Sequence, residues 1–409
     1  MNSIGIDVSK GKSMVAILRP FGKVIRKPFE VLHTPDKLKE LVDTIKSLDG
    51  ETKIAMESTG IYHLPIANAL CDAGLFVSVS HPKRIHSYDN DSIRKVKTDK
   101  ADAVKIANFC LDKWNKLSPY EPDDEIRQSL KTLNRQYHHY SNLKVNLKNN
   151  FIALLDQSFP GINSLFSNKP RKSDGHEKWI DFAVKYWHSD LVALLTPRKF
   201  CENYQKWCKK TGYNYSESKA VEIHTFALSC FAVLPKNDTT KLMIELAVTQ
   251  LNAIVETQAA ITDEMIRLAS SLPEWETVTK MFGVGELLAS KLIAEIGNVT
   301  RFKNKRSLVC FAGLEPPPYQ SGQFESKSRR ISKKGSPHLR KTLFQVMRTL
   351  IQHQPTNNSV YDFLDKKRSE GKHYYVYMTA ASAKFLRVYY GKVNEFLNEI
   401  GEKNSHYAA

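Results

Sequence analysis

The sequence predicts an α/β domain followed by mainly helical domains, and three observations carry that prediction. Between Ile4 and Pro82, short β-branched runs lead into an alternation of strand and helix patterns. Two later stretches repeat apolar residues at steps of three and four over many turns. Past Pro273 a glycine turn precedes a densely basic segment. With 409 residues, 42% of them hydrophobic, the chain has apolar material for ordinary domain cores, which excludes a disordered or fibrous protein.

In the first domain IGIDVSK, SMVAILRP and KVIRKPFEV read as strands joined in hairpins, and a helix follows over Pro35 to Leu48. KIAMESTG and LFVSVSHP are two more strands, separated by a helix over Leu64 to Ala73. Hairpin strands followed by strand-helix alternation make a mixed sheet, in an order of the ribonuclease H type. Thr98 suits the N-cap of a helix running to about Asp112. LSPYEPDDE, with two prolines and four acids, reads as a linker, so this domain is expected to span 1–118.

A second domain is expected over 119–272. Ile126, Leu130, Leu133, Tyr137, Tyr140, Lys144, Leu147, Phe151 and Leu154 form one seam. Ile244, Ala247, Leu251, Ile254, Gln258, Ile261, Met265, Leu268 and Leu272 form another, Lys144 and Gln258 being the polar exceptions. Such seams predict an antiparallel coiled-coil hairpin whose tip carries a helical insert over about 160–239, where Trp179, Trp187 and Trp207 fill a small core of their own. The third domain, 273–409, is expected to be mainly α. Phe282, Gly283, Val284 and Gly285 before ELLASKLIAEIG look like a helix-hairpin-helix, in which Gly283 and Gly285 present backbone N–H groups and a helix end to a phosphate. A Tyr-rich helix from Tyr374 to Phe396 packs on this domain.

Lys and Arg number 60 against 43 Asp and Glu, a net charge of +17 that points to a polyanionic partner. Between Arg301 and Phe344 stand eleven Lys and Arg against Glu315 and Glu325, over half of the chain's excess. A solvated charged face mixes its signs, so this segment reads as a surface for a nucleic-acid backbone. A membrane partner is the weaker reading. The longest apolar run, Thr225 to Leu234, is about half a bilayer span and reads as a core helix, and Asp7 and Lys10 stand where a signal peptide would be apolar. A cytoplasmic protein is expected. Six scattered cysteines with no CxxC pair suggest neither a disulfide framework nor a zinc ribbon, and Cys201 and Cys208, near His188, read as core-facing thiols.

Asp7 follows IGI on the first strand and Glu57 ends the strand KIAM, and on neighbouring strand ends of an open α/β sheet both face one crevice. Asp99 and Asp102 stand three apart on one helix face. Four converging carboxylates repel one another, for which a divalent metal is the usual remedy, and hard oxygen ligands suit Mg²⁺ or Mn²⁺. Two such ions about 4 Å apart clamp the attacking and leaving oxygens of a phosphoryl transfer. Each acid also has a blander reading. Asp7 closes a strand turn, Glu57 bonds a following N–H, and Asp99 and Asp102 complement a helix dipole. Taken together, in an α/β domain of a basic protein, they are expected to form a metal site.

IGIDVSK, MESTG and KTDKADA, in that order and with KRIH before the last, resemble the DEDD transposases of insertion sequences, a family related to Piv-type invertases with a RuvC-like amino-terminal domain. GVGELLASKLIAEIGNVTRF, LVCFAGLEPPPYQSG and ISKKGSPHLRKTL resemble the same family's second domain. The likeness covers residues 1 to about 156 and about 243 to 390, and leaves the insert aside. It implies that Asp7, Glu57, Asp99 and Asp102 bind the metal and that Ser321, in QSG, attacks DNA to form a phosphoserine link before strands are exchanged. It also implies double-stranded target and donor DNA, a structured guide (bridge) RNA encoded beside the gene, and a homo-oligomer, dimer or tetramer, in a bacterial or archaeal cytosol at the nucleoid. Lys10 in the first motif, Arg84 in KRIH, and Arg329, Arg330, Lys333, Lys334 and Arg340 after the serine are the expected nucleic-acid contacts. From the residues alone Ser-Gly is equally a turn, and the cations equally a loop that positions a duplex without reacting. Because Ser321 stands so far along the chain from Asp102, a site shared between copies is expected.

Three other readings compete. A metal-dependent nuclease of junction-resolving type would use the same acids with water as nucleophile. IGIDVSK before a hairpin also resembles the first phosphate loop of actin-like sugar kinases, although no second glycine-rich phosphate loop follows. A purely structural nucleic-acid-binding protein leaves the clustered acids without a purpose.

Overall fold

The computed structural model describes residues 1–88, 98–317, 320–321, 324–325 and 329–407, with backbone alone at 320–321, 324–325 and 401–407. The chain divides into two compact units, Met1–Asp124 and Glu125–Ala409.

The first unit runs β1 (Asn2–Ser9), β2 (Lys12–Arg19), β3 (Lys23–Leu32), α1 (Pro35–Lys46), β4 (Thr52–Glu57), α2 (Leu64–Asp72), β5 (Val77–Ser80), α3 (Pro82–His86) and α4 (Asp99–Asp112). The strands lie in the order β3-β2-β1-β4-β5. The first three pair antiparallel, and β4 and β5 add in parallel. This is the ribonuclease H order. Alternation along each strand divides the side chains between two faces. Ile4, Ile6, Ile17, Ile54 and Met56 pack with Leu41 and Ile45 of α1 and Ile66 and Leu70 of α2. On the opposite face Ala16, Leu18 and Ala55 meet Ala103, Ile106 and Ala107 of α4. Tyr120 donates its N–H to Val77 O at 2.7 Å, so part of the expected linker lies along the β5 edge and the unit reaches Asp124.

The second unit opens with the long α5 (Glu125–Leu155), followed by α6 (Lys178–Lys185), α7 (Asp190–Ala193), α8 (Pro197–Thr211), α9 (Glu217–Ser229) and the long α10 (Asp238–Ser270). Then come α11 (Trp275–Thr279), α12 (Glu286–Ile296), α13 (Lys305–Phe311), the short strands β6 (Gln320–Ser321) and β7 (Phe324–Glu325), α14 (Pro337–His353), α15 (Ser359–Ser369) and α16 (Tyr374–Tyr407). The long helices α5 and α10 run in opposite directions. Leu130 shares a core with Met265 and Ala269, Gln258 Nε2 donates to Ser141 Oγ at 2.8 Å, and Phe151 and Leu155 pack with Ile244 and Val248.

Burial along α5 departs from the apolar pattern. Ile126 is 37% exposed, whereas Arg127, Asn134 and His138 are buried. For two of them polar partners are at hand: the Arg127 guanidinium grips Glu274 through two hydrogen bonds of 2.5 and 2.9 Å, and Asn134 Nδ2 donates to Glu295 Oε1 at 2.8 Å. Trp179, Trp187 and Trp207 are buried as expected, but their core also takes in Phe151, Leu155, Ile244 and Val248 of the long helices, so the insert has no core of its own. The run Thr225 to Leu234 is not a core helix throughout. Helix α9 ends at Ser229 because the N–H groups of Val233 and Leu234 turn to Gln157 O, leaving Phe231 84% and Val233 73% exposed. Cys208 is buried and Cys201 half-buried on α8, both as free thiols. Helices α12, α14 and α16 meet in the largest core, around Leu292, Leu343 and Leu386. Among the described residues no helix is long and apolar enough to cross a membrane.

Candidate active site

Asp7 and Glu57 are set side by side by the sheet. β1 and β4 run parallel with Ile6 beside Met56, so the two acids follow at the ends of adjacent strands. Alternation turns both toward α4, since Ala55, two residues before Glu57, packs on that helix. The helix lies unusually close to β1. A Cβ on Gly5 would fall 2.2 Å from both Ala103 O and Ala107 N, so only glycine admits this approach. Ser3 Oγ also donates to Ala107 O at 2.6 Å. Ser3 thus faces 107 and Gly5 faces 103–107. Two further strand residues advance about 6.7 Å and four helical residues about 6 Å, so Asp7 comes opposite the turn holding Asp99 and Asp102. Thr98 Oγ1 starts that turn by accepting from Ala101 N at 3.2 Å.

The electrostatics agree with this placement. Asp7 is raised from 3.8 to about 6, first by burial and then by repulsion from Asp102, Asp99 and Glu57. Glu57 is raised as well, by burial and by Asp102, against the opposing pull of His86, His81 and Lys105. Asp102, Asp99 and Glu57 all act on Asp7, so the four acids share one field, and a cluster of negative oxygens of this kind suits a hard divalent cation. Among the described residues no three His, Cys, Asp or Glu stand grouped as metal ligands. Lys10 is exposed in the β1–β2 turn. Arg84 is exposed on α3, its guanidinium 5.8 Å from the centre of the Phe109 ring. Gly5 and Ser3 escaped the sequence reading. The signal was present as small residues alternating on β1 opposite Ala103 and Ala107.

In the second unit Ser321 lies in β6, paired with Phe324 of β7. Its side chain, with Tyr319 and Gly322, lies outside the described residues. Lys333 and Lys334 are exposed at the end of this segment, as are Arg329 and Arg330. Arg340 differs from them. It is half-buried, and its Nη1 donates to the carbonyls of Ala312 at 3.0 Å and Gly335 at 3.1 Å, which staples the chain here. Gly283, at φ 81°, forms the turn before α12, and Gly285 is the helix N-cap. Beside them Lys280, Phe282, Thr349 and His353 line an open groove of about 730 Å³.

Residues 4–160 match a DEDD transposase model of the IS110 type, and residues 276–362 match the transposase IS116/IS110/IS902 family. The chain belongs to the IS110 family of DEDD transposases. It is 21% identical over 375 residues to an uncharacterized 43.6 kDa protein of insertion element IS110 from Streptomyces coelicolor, a match covering 90% of this chain and 88% of that one. Identity is 33% over 91 residues, 22% of this chain and 25% of the other, to the transposase for insertion sequence element IS1111A of Coxiella burnetii. It is 20% over 342 residues, 84% and 80% of the two chains, to the pilin gene-inverting protein of Moraxella bovis. Among solved structures, Thermus thermophilus RuvC in complex with a Holliday junction substrate matches at a TM-score of 0.24 and 12% identity, covering 29% of this chain and 99% of that chain. As an IS110-family transposase the protein is a DNA-processing enzyme with a ribonuclease H-like α/β domain. The transposase match over 4–160 includes IGIDVSK and displaces the sugar-kinase reading of that motif.

Proposed function

We propose that this transposase cuts and rejoins DNA through a serine–DNA link, with Asp7, Glu57, Asp99 and Asp102 holding Mg²⁺ or Mn²⁺ and Ser321 as nucleophile. The observation that carries the metal half is the common face of the four acids, where burial and mutual repulsion lift Asp7 to about 6. When bound, the cation supplies Lewis acidity that offsets charge on the phosphate and on the departing oxygen. Ser321 Oγ bonds to phosphorus as the bond from phosphorus to a deoxyribose oxygen breaks; the serine proton goes to solvent, and the freed oxygen takes one up. Attack by the hydroxyl of another strand end reverses these changes, restores the serine and leaves strands exchanged.

Arg329, Arg330, Lys333 and Lys334 position the duplex by its phosphates, with Lys10 and Arg84 doing so beside the acids. Gly283 and Gly285 offer the start of α12 to a further phosphate. The partners are double-stranded donor and target DNA and a structured guide RNA, which reads the sequence by base pairing while the protein holds backbone and shape. α5 and α10 serve as a coiled-coil hairpin that joins copies into a dimer or tetramer. In this division of labour 1–118 binds metal, 119–272 assembles the oligomer, and 273–409, with its helix-hairpin-helix, brings the serine to the nucleoid DNA.

Trapping tests the chemistry. On a nicked or mismatched substrate that stalls after cleavage, the wild type should leave protein covalently joined to DNA on a denaturing gel. Ser321→Ala should bind the DNA and leave no adduct. Cleavage without an adduct in the wild type would select the hydrolytic reading, in which the acids activate water. Sequencing of copurifying RNA tests the guide.

A further inference from the structure

On either side of the segment that carries Ser321, the flanks 313–315 and 332–335 are drawn together into a closed neck. At its base Gly313 and Gly335 press backbone on backbone; a Cβ on Gly335 would fall 2.1 Å from Phe311 O and 2.7 Å from Gly313 N. Ser332 N–H donates to Glu315 O at 3.0 Å and Lys333 N–H to Gly313 O at 3.1 Å. Arg340 clasps the two sides through Ala312 O and Gly335 O. The next residue, Ser336, caps α14 by accepting from Leu339 N at 3.1 Å, and its hydroxyl donates to Glu295 Oε2 at 2.5 Å.

Glu295 is the unexpected member. It is 1% exposed on α12 among Leu292, Ile293 and Ile296. Burying a carboxylate there is costly, and an apolar residue of similar size commonly serves stability as well. Its carboxylate accepts from Asn134 Nδ2 at 2.8 Å and Arg135 Nη2 at 3.1 Å on α5, and from Ser336 at the neck. Beside it Lys291 lies 3.7 Å from the centre of the Tyr137 ring, and the His138 ring lies tilted against that of His338, centres 4.5 Å apart. The contacts to Asn134, Arg135, Tyr137 and His138 join α5 to α12 or to the start of α14, and the bond to Ser336 joins α12 to the N-cap of α14. Apolar packing tolerates sliding, whereas directional bonds fix rotation and register.

We infer that Glu295 is a positioning residue, which sets the serine segment through Ser336 and the neck with α5 as its reference. The inference rests on the reading of Ser321 as nucleophile. Displacement or rotation of α5 is transmitted through Glu295 to the base of the segment, so the serine reaches its phosphate only while α5 is seated.

The test uses the full-length protein with its DNA and guide RNA, comparing Glu295→Gln, Ser336→Ala, Ser336→Thr and the Glu295→Gln/Ser336→Ala double variant. Single-turnover adduct formation at saturating DNA should slow by roughly tenfold or more in the first two, since small misplacements of a nucleophile cost this much. DNA affinity should stay within about twofold, separating reaction from binding. Hydrogen exchange should quicken at the amides of Ser332 and Lys333 while the amides of α12 keep their rates. Ser336→Thr, which keeps the hydroxyl, should restore the rate, and the double variant should be no slower than its slower parent. Adduct rates near wild type in both single variants, or a slowing that Ser336→Thr does not restore, overturns the inference. If Glu295→Gln fails to fold, Ser336→Ala and Ser336→Thr decide it. Should Ser321→Ala still form the adduct, the reading of the nucleophile fails, while the exchange at the neck continues to report on the coupling.

Discussion

Replacing Asp7 by Asn should make the metal-free protein more stable at neutral pH while abolishing strand transfer. The native carboxyl is raised from 3.8 to about 6 by burial and by Asp102, Asp99 and Glu57. Between those two values the folded chain binds more protons than the unfolded one, so stability falls as pH rises through that window and stays reduced above it. A rise of this size corresponds to about 3 kcal/mol, which solvent screening at a half-buried site reduces to about 1–2 kcal/mol. Asn is nearly isosteric and carries no charge, so it removes the repulsion and keeps the packing. Urea unfolding in EDTA should show Asp7→Asn more stable than wild type by that margin at pH 8, with the difference gone at pH 3.5. Added Mg²⁺ should then stabilise the wild type and do little for the variant. Equal stabilities at pH 8 with unchanged m-values would refute the claim that Asp7 faces the other three acids.

Gly5→Ala should cost about 2–4 kcal/mol and abolish activity although no acid is altered, because the new methyl meets the α4 backbone and no side chain is there to yield; unchanged unfolding curves would show that α4 lies farther out. His138 is held down to about 3 by burial and then by His338, Lys291 and Lys341, so its contribution to stability is complete above pH 6.5 and drains away as acid protonates the unfolded chain first. His138→Gln should flatten the acid limb of stability by on the order of 3 kcal/mol near pH 4, and an unaltered limb would place the titration elsewhere. Mixing Asp102→Asn protein with Ser321→Ala protein should restore some strand exchange if copies share a site. No rescue in mixed oligomers would assign the acids and the serine to one chain.

The sheet was legible because hairpins and helical crossovers leave different patterns, and Asp7 and Glu57 because acids at adjacent strand ends stand out against β-branched runs. What brings Asp99 and Asp102 to them was less visible. Gly5 reads as an ordinary glycine until its missing Cβ is set against the backbone of α4. Counting apolar residues placed Leu130 and Phe151 rightly on the α5 seam but also Ile126, which is 37% exposed, and it missed Arg127, Asn134 and His138, which are buried. Periodicity scores polar groups as surface and has no access to a partner such as Glu274, 147 residues away. Arg340 shows the same limit: its charge suggests a phosphate contact, and nothing in the sequence signals the two carbonyls that its Nη1 meets.

The sharing of one core between the insert and the far ends of α5 and α10 constrains how such a chain can lengthen or shorten. Excision at 160 and 239 would strip cover from Phe151, Leu155, Ile244 and Val248 and leave a sticky apolar tip. A viable deletion must also take whole turns from both long helices, in matched amounts, so that the shortened ends still meet. Gain or loss of the insert is therefore bound to the span of the arm that bears it.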